Sequence, residues 1–397
     1  MVMNILFDQT EAQATYYNGA AEYAQSLFLN MLSIMKNYPD TKLYSLYSSA
    51  RAFRYDALSP EALKDQERVV FVDYHNKPVK EIIKENKIDL FFITCAQSFC
   101  DLAVGDLSDL GCKVVVVIHD LYVEEMENSK IEYPHYIKHP WRFIHNSLGR
   151  VKVRLLSGTT TSRHKIMRNL IESNDSIIIT VSNYTKNSIE YFFPNYSDKI
   201  FVYYSPMKVC PFQKEEIDNA RLREIVKEKK KYFLLLSADR VTKNGERMLN
   251  AFKRYVENCD SSALVVTTGY KKDMFKGHIA LPFLSSSDIE HLYQNCHALL
   301  YPSLFEGFGY PPIEAMRFDK PVLSSNVCSM LEILGDAPIY FSPIYESSMF
   351  GALRKFKSSS YEKLQEQVHK QYEMVHRRQN DDLNKLSTIL LNGSLLK

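Results

Sequence analysis

The segment LFEGFGYPPIEAM, residues 304–316, places Glu306 and Glu314 with seven residues between them. Pro311 and Pro312 suit the first turn of a helix, where a missing N–H would be unbonded anyway. PPIEAMRF therefore reads as a helix start. HALLYPS (297–303) reads as a strand, so EGFGY is the turn at its carboxyl end, the edge where open α/β sheets bind ligands. Gly307 and Gly309 let the backbone come close to a ligand. The helix behind them offers free amides and a positive dipole end, which suits a diphosphate. A carboxylate beside phosphates is unfavourable unless it takes hydroxyls instead. Two of them bracketing such a site predict a ligand with diols on both sides of its phosphates, the shape of a nucleotide sugar. Taken singly, Glu314 reads as a glutamate balancing the helix dipole and Glu306 as a solvated loop residue. The combination with the glycines and prolines is what points to a site.

Departure of a nucleoside diphosphate leaves negative charge that fixed positive groups must meet. FLLLSADRVTKNGERMLNAF (233–252) reads as strand, turn and helix, with Arg240, Lys243 and Asn244 in the turn. Lys243 can reach a phosphate gathered at that helix start. Taken without its context it is a solvated turn lysine. VVVVIHDLY (114–122) ends a buried strand in His119-Asp120, and polar residues at such a strand end face a cleft. Taken without its context His119 is a packed strand-end histidine. Gly19, in TYYNGAAEYAQSL (15–27), follows the first strand and reads alone as a turn glycine. Ser182 reads as the cap of the helix after it, and Ser287 with Glu290 as a capping box.

The rest of the chain supplies the frame. Its 397 residues exceed one compact core and suit two domains. Short apolar runs alternate with amphipathic ones: NILF (4–7), KLYSLY (42–47), RVVFV (68–72), DLFFI (89–93), KVVVVI (113–118), SIIITV (176–181) and KIFVYY (199–204) read as strands. A second series follows in YFLLLS (232–237), ALVVTT (263–268), HALLYPS, PVLSS (321–325) and PIYFS (338–342). That pattern predicts parallel sheets covered on both faces. The expected organisation is an α/β chain of two facing Rossmann-like domains, 1–206 and 232–360. A linker with an exposed helix spans 207–231, and a helical tail, 361–397, returns toward the first domain.

Composition narrows the classes. Charged residues make up 24% and the formal net charge is +2, so no nucleic-acid partner is expected. The seven cysteines form no CxxC pair or Cys/His cluster, so no metal site is expected. MVMNILFDQT lacks a basic region followed by a long apolar run, which predicts no signal peptide and a cytoplasmic chain. No GxGxxG follows the first strand of either series, which argues against a nicotinamide oxidoreductase. The stretch 130–170 carries nine Lys/Arg and one acidic residue, Glu132, interleaved with Tyr133, Tyr136, Trp141 and Phe143. Such a surface suits anionic lipid headgroups, and hence peripheral contact with the inner face of a membrane, or a lipid-pyrophosphate acceptor. Its plain alternative is a solvated basic face.

SLFEGFGYPPIEAMRFDKPVLSSNVCSMLEILGDAPIYFSP resembles the donor-binding segment of retaining glycosyltransferases of family four, which have the GT-B fold. The resemblance covers most of the chain and weakens over 48–110 and after 357. It implies that Glu314 holds the ribose and that Glu306 lies by the transferred sugar. It also implies that the backbone from Gly307 through Phe308 and Gly309 to Tyr310 meets sugar and phosphates. Lys243 and Asn244 match the family's Lys-Asn turn, and the backbone near Phe283 and Leu284 would meet the base. His119 would contact the donor sugar, and Gly19 and Ala20 would lie on an acceptor-side loop. Two positions depart from the pattern: Ala238 stands where the family usually has arginine, with Arg240 nearby as a substitute, and Ala21 replaces a second glycine. The implied activity is metal-independent, retaining transfer of a sugar from a nucleoside-diphosphate sugar to a hydroxyl of a glycan or lipid-linked saccharide, with no cofactor. The two departures motivate an alternative, a non-catalytic sugar-nucleotide-binding subunit of a glycan-assembly complex.

Overall fold

Seven apolar runs in the first half of the chain become one sheet: β1 (Met3–Asp8), β2 (Thr41–Tyr47), β3 (Val69–Asp73), β4 (Leu90–Ile93), β5 (Lys113–Ile118), β6 (Ser176–Thr180) and β7 (Ile200–Val202). β5 shows why. Val114, Val115, Val116 and Val117 are all fully buried. β-Branched side chains on both faces fit a parallel strand covered from both sides. The order is β3-β2-β1-β4-β5-β6-β7, and every pairing is parallel. The structure, a computed structural model, describes residues 3–13, 19–75, 77–96, 110–122, 124–125, 166–208 and 216–394.

The second sheet contains β8 (Phe233–Leu235), β9 (Val265–Thr268), β10 (His278–Leu281), β11 (Ala298–Tyr301), β12 (Val322–Ser325) and β13 (Ile339–Phe341). Its order is β10-β9-β8-β11-β12-β13, again all parallel. The strand order reverses between β8 and β11, so the turns leaving those two strands open at the switch point of the sheet. β10 is a strand the sequence reading does not contain; HIAL sits inside a loop-like run.

The helices are α1 (Gly19–Ile34), α2 (Val79–Glu85), α3 (Asn183–Phe192), α4 (Ala220–Lys227), α5 (Gly245–Asn258), α6 (Ser286–Asn295), α7 (Tyr310–Met316), α8 (Met330–Leu334), α9 (Glu346–Ser358) and α10 (Tyr361–Leu391). Their apolar faces follow helical spacing. α1 buries Tyr23, Leu27, Phe28 and Met31, and Phe28 meets Phe7 of β1 edge-on at 5.0 Å. α5 buries Met248, Leu249, Phe252 and Tyr255, and Phe252 meets Phe233 of β8 at 5.4 Å.

The chain divides into two compact units, Met1–Val209 with Gln379–Lys397, and Cys210–Arg378. α4 is part of the second unit. It buries Leu222 and Ile225, and Arg221 donates to the carbonyl of Ala280 at 3.0 Å. α10 runs through both. Gln371 donates to the carbonyl of Ile333 at 2.8 Å in the second unit, while Gln379 donates to that of Ser205 at 2.6 Å in the first. Among the described residues no helix is long and apolar enough to cross a membrane.

Candidate active site

β8 and β11 are neighbours, so the turns that leave them meet. The main-chain amide of Leu304 donates to the carbonyl of Thr242 at 2.8 Å, and Ser303 Oγ lies 3.2 Å from the same carbonyl. Asn244 takes the left-handed conformation at φ 54°. Its side-chain amide donates to the carbonyls of Pro302 at 3.1 Å and Pro343 at 2.8 Å. The side chain thus joins three segments, and the turn's backbone is what it leaves for a ligand. Gly245 then starts α5 hard against the preceding strand end: a Cβ there would lie 2.2 Å from the Ala238 carbonyl oxygen. Ala238 is itself buried.

These contacts bring Lys243 to Glu306. Lys243 Nζ lies 2.5 Å from Glu306 Oε1, with the two side chains only 14% and 15% exposed. The same ammonium donates to Tyr301 Oη at 3.1 Å and lies 4.9 Å from the centre of the Tyr301 ring. Ser303 Oγ donates to Glu306 Oε1 at 2.5 Å, and the nearby Tyr301 hydroxyl also favours the charge of that carboxylate. Burial alone would push the Glu306 carboxyl up, but the Lys243 charge and hydrogen bond and the two hydroxyls outweigh it and hold its pKa below the ordinary value. Burial first, then the Glu306 charge and hydrogen bond and the Glu314 charge, push the Tyr301 phenol well above its ordinary value, while Arg240 pulls the other way. At neutral pH Glu306 is therefore a carboxylate and Tyr301 a protonated phenol.

Glu314, the second carboxylate, lies on α7 and is 6% exposed. Tyr293 of α6 donates its phenol to Glu314 Oε2 at 2.6 Å. Gly309 caps α7 at φ 90°, ψ 67° and rests on Met330: a Cβ there would come within 2.3 Å of its Cε. Gly307 is buried, and the Phe308 ring is buried edge-on to Tyr310 at 5.7 Å. The turn thus turns its aromatic ring inward, and Tyr310 is half-buried. Arg240 is exposed at the head of its turn, with no side-chain hydrogen bond or ion pair among the described residues. Phe283 is 72% exposed, and Leu284 half-buried, between β10 and α6.

In the first unit His119 follows β5. Its Nε2 lies 3.0 Å from the carbonyl of Thr94, and its ring meets Tyr23 edge-on at 5.2 Å. A carbonyl only accepts, so Nε2 carries the proton and Nδ1 is left as an acceptor. Burial lowers the His119 pKa, so the ring is neutral at pH 7. Gly19 and Ala20 open α1 and are half-buried; residues 14–18 of that loop lie outside the described residues, as does the basic stretch through residue 165.

Two capping expectations have different outcomes. Ser182 caps α3, accepting the amide of Thr185 at 3.2 Å. The cap of α6 is Ser285, not Ser287; it accepts the amide of Asp288 at 3.1 Å. Three serines in a row offer several registers. The one used frees Asp288 to accept the amides of Asp218 and Asn219 at 2.9 and 3.0 Å, and Glu290 pairs with Arg317 at 2.8 Å instead. Tyr301, Ser303 and Tyr293 are site residues the sequence reading lacks. Their one signal is position, since Tyr301 and Ser303 stand at the carboxyl end of a buried strand.

The fold is that of a two-sheet GT-B-type α/β protein, and its charged cluster lies at the switch point of the second sheet. Residues 216–373 match the family described as Glycosyl transferases group 1. The chain is 28% identical over 189 residues to the O-antigen chain mannosyltransferase RfbU of Salmonella typhimurium, covering 45% of this chain and 50% of that one. It is 26% identical over 226 residues to the alpha-1,3/1,6-mannosyltransferase ALG2 of Saccharomyces cerevisiae, covering 46% and 44%. The chain thus spans half the length, or less, of these curated relatives. Among solved structures, HepE of Anabaena in complex with UDP-glucose superposes with a TM-score of 0.63 at 14% identity, covering 98% of this chain and 100% of that one. WaaG, a glycosyltransferase involved in lipopolysaccharide biosynthesis, superposes with a TM-score of 0.59 at 14% identity, covering 97% and 99%.

Proposed function

We propose that this chain is a retaining glycosyltransferase that moves a sugar from a nucleoside-diphosphate sugar to a hydroxyl of a glycan or lipid-linked saccharide. The observation that carries the proposal is the Lys243–Glu306 pair, held at the switch point by Tyr301 and Ser303. Lys243, the amides at the start of α5 and the exposed Arg240 supply positive charge for a diphosphate. Glu306 and Glu314 supply acceptors for hydroxyls on either side of it. The mannosyltransferase relatives support mannose as the sugar to test first.

In the proposed reaction the bond between the anomeric carbon and the phosphate oxygen breaks, and the acceptor oxygen bonds to that carbon from the same face. The acceptor proton passes to the departing phosphate oxygen, whose charge Lys243 stabilises. Glu306, already paired and ionised, orients sugar hydroxyls and is not asked to form a bond. The route needs no metal ion, because the positive charge comes from Lys243, Arg240 and backbone amides. A thermal-shift screen of nucleoside diphosphates and their sugars, followed by product analysis in EDTA, tests the reading. Abolition of transfer by EDTA contradicts metal independence. A Glu306→Gln variant is expected to lose mainly transfer and Glu314→Ala mainly donor affinity; normal binding and turnover in both refutes the assignment.

A further inference from the structure

Each carboxylate of the pair is served by a phenol from an element earlier in the chain. Tyr301, the last residue of β11, serves Glu306; Tyr293, on α6, serves Glu314. Both tyrosines are deeply buried, at 4% and 0% exposure. A phenylalanine would fill either place as well and would leave no buried hydroxyl to satisfy, so packing alone does not explain the oxygen. The hydroxyls also lie differently. Tyr301 accepts from the Lys243 ammonium that also donates to Glu306, so Lys243 links phenol and carboxylate, with Ser303 as a further donor to Glu306. Tyr293 meets Glu314 at 2.6 Å on the other side of the turn.

We infer that Tyr301 and Tyr293 are positioning residues with separate tasks: Tyr301 sets the charge pair for the transfer step, and Tyr293 sets the carboxylate that anchors the donor. The inference rests on the donor reading given above. An ammonium has three N–H groups. Glu306 and Tyr301 take two, which fixes the third in direction and leaves it for the departing phosphate. Without the Tyr301 hydroxyl the ammonium swings about Glu306, and Glu306 loses one of the groups that keep it ionised. The charged and titratable groups acting on this centre are Lys243, Tyr301, Glu314 and Arg240. Removing the Tyr293 hydroxyl leaves the hydrogen bonds of Lys243 in place and loosens Glu314.

The test is steady-state release of nucleoside diphosphate from the sugar nucleotide that the thermal-shift screen selects, measured across pH for wild type, Tyr301→Phe and Tyr293→Phe. Tyr301→Phe is expected to lower kcat about tenfold or more, since each tenfold is a modest change in barrier, with donor KM little changed and the acidic limb of kcat/KM moved to higher pH. Tyr293→Phe is expected to raise donor KM with kcat and the acidic limb kept. The double variant Tyr301→Phe with Ser303→Ala is expected to move the limb further. The proposal is overturned if both phenylalanine variants shift the same parameter, or if they lower only thermal stability. A nucleoside-diphosphate thermal shift that is present in wild type while the split fails overturns this inference and leaves the donor site standing. Absence of any such shift removes both.

Discussion

Lys243 Nζ lies 2.5 Å from Glu306 Oε1, although 62 residues separate them in the chain and each stands in a turn. Both side chains are largely withdrawn from water, so removing one charge strands the other. Lys243→Met is expected to destabilise the second unit by about 3–5 kcal/mol, the usual cost of an orphaned buried charge. Denaturant unfolding measures it. Lys243→Met combined with Glu306→Gln is expected to recover most of that loss, since no charge is then left alone. The pH sign follows from the folded pKa of Glu306, which is lowered. Its contribution to stability is present above the unfolded value of 4.5 and is lost as pH falls through the folded one. Glu306→Gln should flatten that acid-side loss. An unchanged acid limb contradicts the pairing.

Arg240 gives the opposite signature. It is exposed and makes no ion pair among the described residues. Arg240→Ala is expected to leave the melting temperature within a degree or two and to weaken nucleoside-diphosphate binding about tenfold, which is about 1.4 kcal/mol. Titration calorimetry distinguishes this from a solvated arginine, whose removal changes neither.

The two turns also rest on backbone that tolerates only glycine. Gly245→Ala puts a methyl group 2.2 Å from the Ala238 carbonyl oxygen, which is main chain and cannot swing aside. Gly309→Ala meets only the flexible end of Met330, but at a φ of 90°. Gly309→Ala is expected to cost about 1–3 kcal/mol and Gly245→Ala more. Equilibrium unfolding of both variants ranks them, and the reverse order contradicts the packing described.

Much of this frame is legible in the sequence because the physics is local. Runs such as VVVVI and ALLY can only be buried strands, prolines at 311 and 312 mark a helix start, and Ser182 sits where a cap must be. Glu306, Glu314 and Lys243 stand out only in combination with the glycines, prolines and strand ends around them, since each alone reads as a solvated or dipole-balancing charge. What stays hidden depends on strand order. Nothing local says that β8 lies beside β11, so nothing local says that Lys243 bonds Glu306 rather than solvent. Tyr293 and Tyr301 read as core because each lies in an apolar run; only the finished packing shows that their hydroxyls point at carboxylates. Asn244 reads as a binding residue, and its side chain is occupied with the carbonyls of Pro302 and Pro343. The shift of the α6 cap to Ser285 has the same origin, since Asp288 is claimed by the amides of Asp218 and Asn219 from another segment.

The first unit carries a separate titration. Asp8, at the end of β1, is fully buried and its pKa is pushed up by burial from 3.8 to about 6, against a hydrogen bond from the Thr10 amide that lowers it. Its Oδ2 has no hydrogen-bond partner among the described residues. The folded form therefore favours the protonated acid. That stabilisation is complete below the unfolded value of 3.8 and is lost as pH rises through about 6. The difference corresponds to about 3 kcal/mol above that window. Asp8→Asn is expected to raise the melting temperature at pH 8 and to change it little at pH 3.5, as differential scanning calorimetry would show. Equal shifts at both pH values contradict a raised pKa.

The most direct test of the central claim is release of nucleoside diphosphate from a panel of sugar nucleotides, in EDTA, by wild type and by Lys243→Met supplied at concentrations where both are folded. The account predicts that wild type consumes at least one sugar nucleotide, and that Lys243→Met is slower by about a hundredfold or more. Consumption of none of them, or equal rates for the two proteins, contradicts it.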